Sequence, residues 1–92
     1  MARRRSNIEI IGEMLRLGEN GAGKTQLMYG ANLSYIQIQK YLGFLTKHGF
    51  IDKLVIGNPN VTYHVTDKGT GLLNSIESVL EVLELNEATG LE

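Results

Sequence analysis

An α+β fold, mainly helical, follows from three features of this 92-residue chain. Apolar residues recur at helical period in four segments. Two short runs rich in β-branched residues flank a Gly57-Asn58-Pro59-Asn60 tip, as in a β-hairpin. The order is three helices, then the hairpin, then one long helix.

The elements follow in chain order. Ser6 and Glu9 have capping-box spacing and open a first helix, whose apolar stripe is read as Ile8, Ile11 and Leu15, flanked by Ile10, Met14 and Leu17. Gly18, Gly21 and Gly23 stop it in what reads as a flexible loop. A short helix from about Thr25 to Gly30 turns Leu27 and Met28 inward, and Gly30-Ala31-Asn32 makes the turn, since Gly and Asn tolerate positive φ. Ser34 and Gln37 form a second capping box for a helix with Ile38, Tyr41, Leu42 and Leu45 inward, which ends at Gly49. Strands at 50–56 and 61–66 are read with Ile56 opposite Val61, which sends Leu54, Ile56, Val61, Tyr63 and Val65 inward and Lys53, Val55, Thr62 and His64 outward. Thr66 caps a last helix running to about Glu87. Such an order makes a winged helix-turn-helix: three helices plus a β-hairpin wing, with a long C-terminal dimerisation helix added. Residues 1–68 read as the head and residues 69–92 as the dimerisation helix.

The net charge of −1 conceals an asymmetry. Residues 1–68 hold all nine Lys and Arg against five acids, for +4; residues 69–92 hold five Glu and no base, for −5. A local basic surface, not the average, decides attraction to phosphate. Without cysteine there is neither a disulfide nor a thiolate metal site, and no apolar run approaches 18 residues. A cytoplasmic, nucleoid-associated protein with no membrane contact is the expectation.

Two patterns invite chemical readings. Gly18-x-x-x-x-Gly23-Lys24-Thr25 literally matches the phosphate-binding P-loop. That loop needs a strand before it, whereas residues 8–17 have helical period, so nucleotide binding through 18–25 is only the remote alternative. His48 and His64 lack a second ligand at metal spacing, and no nucleophile–base or paired-carboxylate arrangement stands out. No catalysis and no cofactor are expected. Glu77, Glu81 and Glu84 read as a solvated helix face.

Binding to duplex DNA is the leading expectation. The helix 34–48 would enter the major groove with Ser34, Tyr35, Gln37, Gln39 and Lys40, where Gln can pair with adenine and Ile36, off the core-facing side, can touch a thymine methyl. Lys24 would lie on a phosphate, and Arg3, Arg4 and Arg5 on phosphates or along a minor groove. Lys53, Asn58 and Asn60 would carry the wing (51–66) onto the backbone. On the last helix, Leu72, Ile76, Val79 and Leu83 alternate at spacings of 4 and 3, widened by Leu73 and Leu80. Leu72, Ile76, Val79, Leu80 and Leu83 are therefore the expected homodimer seam, with both pairing directions open and the acidic ends favouring antiparallel.

Three strings of the chain resemble a known family: Lys24-Thr25-x-x-Met28-Tyr29-x-Ala31-Asn32-Leu33-Ser34-Tyr35, Tyr41-Leu42-x-x-Leu45-x-x-x-Gly49-x-Ile51, and Tyr63-x-Val65-Thr66-Asp67-Lys68-Gly69. These are similar to the small archaeal winged-helix proteins described as predicted transcriptional regulators. The resemblance implies a regulator or nucleoid-associated protein that binds DNA as a homodimer through a C-terminal coiled-coil helix. It also accounts for Lys24-Thr25 without a nucleotide. Ile36, Gln39 and Gly30 stand where that family commonly has basic residues. This departure keeps a second reading open, a winged helix used as a protein–protein interaction module.

Overall fold

The computed structural model describes residues 5–57 and 60–88, with side chains through Leu83. The expectations for Arg3, Arg4 and Asn58 lie outside the described residues. The element order is α1 (Asn7–Leu17), α2 (Lys24–Gly30), α3 (Tyr35–Lys47), β1 (Ile51–Val55), β2 (Val61–Val65) and α4 (Asp67–Ala88).

Local chemistry sets most boundaries. Both capping boxes close as expected: Ser6 Oγ accepts from Glu9 N while Glu9 accepts from Ser6 N, and Ser34 and Gln37 repeat the exchange. Asn32 takes the left-handed turn at φ 54°, and Gly49 at φ 77° ends α3. At the start of α4, Thr66 Oγ1 accepts from Gly69 N (3.0 Å) and donates to Gly49 O (2.7 Å), so one hydroxyl caps α4 and ties it to the corner between α3 and β1. Lys68 Nζ donates to His48 O (2.8 Å) and lies 4.8 Å over the Phe50 ring. The Thr66-Asp67-Lys68-Gly69 string is thus a structural joint.

The core joins all the helices with the hairpin: Met14 and Leu15 from α1, Leu27 from α2, Ile38 and Leu45 from α3, Ile51 and Tyr63 from the strands, and Leu73 and Ile76 from α4. On α1 the buried residues are Ile10, Gly12, Met14 and Leu15. The stripe is therefore rotated from the expected one, with Ile11 half-buried and Ile8 exposed, because α4 lies against Gly12 with Ile76. Tyr41 locks α3 to α1 by donating to Asn7 Oδ1 at 2.6 Å.

The hairpin corrects the expected register. Val55 pairs with Val61, Leu54 with Thr62 and Lys53 with Tyr63. The tip is one residue longer than expected: Ile56 N and Gly57 N both donate to Asn60 O, so Ile56 belongs to the turn. A one-residue slip reverses every side chain of a strand. Lys53 therefore shares the face of Tyr63, while Leu54 moves to the opposite face and is exposed, as is Ile56 in the turn.

The glycine loop is also more ordered than expected. Ala22 and Tyr63 exchange backbone hydrogen bonds of 3.0 and 2.8 Å, which adds a one-residue third strand to the wing. Gly21, at φ 88°, lets the loop lie directly on the His64 ring.

On α4, Leu73 and Ile76 (7% exposed) complete the core of the head, and Leu72 and Leu80 pack against it half-buried. Ile76, expected in the dimer seam, is thus committed within its own chain. Among the described side chains, Val79, Val82 and Leu83 are exposed apolar residues further along the helix.

Candidate nucleic-acid interface

α3 presents an outer stripe opposite its buried face. Ile36, Lys40, Gly43 and Lys47, spaced 4, 3 and 4, are all exposed, Ile36 at 79%. Lys47 is not among the contact residues expected from the sequence. Its place in this stripe, set by helical spacing, was the available signal.

A groove of about 200 Å³ separates this helix from the wing, lined by Lys24, Gln39, Leu42, Gly43, Thr46, Lys53 and Tyr63. It brings together three of the expected contact residues, Lys24, Gln39 and Lys53, from three different elements. The observed register makes this possible, since only on the face of Tyr63 can Lys53 border the groove. No acid lines it. Lys24 Nζ sits 4.5 Å over the centre of the exposed Tyr35 ring, a cation–π contact that steadies the ammonium at the edge of α3.

The remaining expected residues do not line this groove. Lys40 borders a hollow with Asn7, Ile11, Tyr41 and Phe44, on the α1 flank of α3. Gln37 borders another with Arg5, Asn7 and Tyr41, and Ser34 and Gln37 spend their capping groups on each other. Arg5 is not an extended arm residue: it donates to Glu13 and to Asn32 O, pinning the start of α1 to the α2–α3 turn. Asn60 is exposed, with its carbonyl closing the wing. Among the described residues the ion pairs are Arg5–Glu13 and Arg16–Glu77, and neither involves α3 or the wing.

The P-loop match fails on this geometry. A helix precedes the loop, and four of its amides are engaged: Gly18 N donates to Met14 O, Glu19 N to Arg16 O, Gly21 N to Gly18 O and Ala22 N to Tyr63 O. A phosphate cradle needs such amides pointing outward. Among the described residues no group of His, Asp or Glu could hold a metal ion, and no helix is long and apolar enough to cross a membrane.

Known proteins resemble this chain in sequence and in fold. A family model for the winged helix-turn-helix matches residues 4–84. A protein of Methanocaldococcus jannaschii, itself uncharacterised, is 33% identical over 81 residues, which are 87% of this chain and 78% of the relative. A second uncharacterised protein of that organism is 36% identical over 81 residues, and there the match covers 87% of this chain but only 36% of the longer relative. Among solved structures, Sso10a-2, a DNA-binding protein from Sulfolobus solfataricus, has a TM-score of 0.86 at 32% identity, covering 94% of this chain and 90% of that one. A match of this extent, on a fold that sets helix, turn, helix and wing in the expected order, makes the chain a member of the winged helix-turn-helix family, among small archaeal proteins.

Proposed function

We propose that this protein binds duplex DNA, as a transcriptional regulator or nucleoid-associated factor and without enzymatic activity. The observation that carries the reading is the acid-free groove in which Lys24 and Lys53 flank α3. Two ammonium groups beside an exposed helix suit a helix in the major groove with phosphates alongside. Ile36 offers an apolar contact for a thymine methyl, and Gln39 an amide for a base edge or phosphate. The DNA-binding character of the similar Sso10a-2 supports the same partner.

The active form is a homodimer. A groove of about 350 Å³ between α1, α3 and α4 is lined by Ile8, Ile11, Phe44, Phe50, Leu72 and Val79, among others, and the exposed Val82 and Leu83 continue the apolar surface along α4. A second copy related by a two-fold axis covers this surface with its own α4.

Fluorescence anisotropy on duplex DNA between about 50 and 200 mM salt tests the DNA reading. Affinity should fall linearly on a log–log plot. Lys24→Ala and Lys53→Ala should each weaken binding to all sequences and lower the slope by about 0.9. Unchanged binding in both variants at low salt would leave the exposed Ile36 as the centre of a protein-binding surface instead. A parallel calorimetric titration with ATP or GTP and magnesium should give no heat. Micromolar binding abolished by Lys24→Ala would restore the nucleotide reading.

A further inference from the structure

Gly43 stands inside α3, where glycine is the least favourable residue after proline. Three of the other helical glycines, Gly12, Gly30 and Gly69, have a reason within the chain. An added Cβ would lie 3.0 Å from Ile76 Cγ2 at Gly12, 2.8 Å from Leu17 Cδ1 at Gly30, and 2.1 Å from Phe50 O at Gly69. At Gly43 a Cβ would meet nothing within 4 Å, and the backbone there is not left-handed. The fold would accept alanine at this position and gain from it.

The position of Gly43 is informative. It is exposed in the middle of the outer stripe of α3 and also borders the groove between Lys24 and Lys53. Resting on the DNA reading above, we propose that Gly43 is the point of closest passage between α3 and a DNA strand. The missing side chain lets the sugar-phosphate backbone sink between the two lysines. The occupant is a phosphate backbone because both flanking charges are positive and no acid lines the groove. A side chain at 43 would be the first atoms to meet that strand and would hold it away from both ammonium groups.

Gly43→Ala and Gly43→Leu test this, with Gly71→Ala as the control. Gly71 is the other glycine inside a described helix with nothing within 4 Å of an added Cβ, and it lies outside the groove. Both alanine variants should melt about 2–8 °C higher than the unmodified protein. Only the changes at Gly43 should weaken duplex binding, by about tenfold for alanine, the scale of one lost hydrogen bond to a charged group, and by more for leucine. Gly43→Leu binding within twofold of the unmodified protein, while Lys24→Ala and Lys53→Ala are impaired, would overturn the close passage and leave the DNA surface standing. Lower melting temperatures for both Gly43 variants would also overturn it, by showing that the fold itself requires the glycine. No duplex binding by the unmodified protein at low salt would remove the underlying reading.

Discussion

Gly69→Ala is expected to lower the melting temperature by about 15 °C or more, although alanine is the better helix former. The added Cβ would lie 2.1 Å from Phe50 O and 2.7 Å from Val65 Cγ1, well inside ordinary contact. Phe50 O cannot yield easily, because it accepts from Thr66 N at 3.1 Å and from Thr66 Oγ1 at 3.2 Å. Relief requires α4 to lift from the α3–β1 corner, which strains the Thr66 cap and the Lys68–His48 contact together. A cost of about 3 kcal/mol or more, the upper end for overpacking, is expected where the clash is with backbone, and a domain of this size has only about 5–15 kcal/mol of stability in total. Circular dichroism melting decides the matter. A melting temperature within a few degrees of the unmodified protein would mean that the close approach does not govern this joint.

Val79→Asp combined with Leu83→Asp is expected to convert the proposed dimer to a monomer while leaving the head folded. Both side chains are about half exposed within one chain (47% and 51%), so charges there should cost the monomer little. In a dimer they would be buried without partners, which is strongly unfavourable. Ile76 is the wrong place for this test, since its burial against Gly12 would make an aspartate destabilise the head itself. Sedimentation at tens of micromolar should show the shift in mass. Affinity for DNA with two sites should fall about 100-fold, with single-site affinity nearly unchanged, because two linked heads gain from effective concentration. An unmodified protein that sediments as a monomer would remove the dimer from the proposed function.

Much of the fold was legible in the sequence because it is decided within a few residues. Ser6-x-x-Glu9 and Ser34-x-x-Gln37 satisfy helix-start amides locally, Asn32 and Gly49 are suited to left-handed backbone, and Ile38, Tyr41, Leu42 and Leu45 mark one helix face at 3.6-residue period. Those features were sufficient for the order of elements and for α3 as the exposed helix beside the wing. The hairpin register was not legible. Tips of four and five residues both suit Gly57-Asn58-Pro59-Asn60, and what separates them is the carbonyl of Asn60 and the pairing of Tyr63 with Ala22, forty-one positions earlier. That choice moved Lys53 from the outer face to the groove beside Lys24 and Gln39. The burial of Ile76, the tethering of Arg5 to Glu13 and Asn32, and the separation of Lys40 and Gln37 from the groove were decided in the same way. Capping, turn conformation and helical period are properties of neighbouring residues, so the sequence alone determines them. Which lysines share a surface depends on how distant elements pack, and only the tertiary structure decides it.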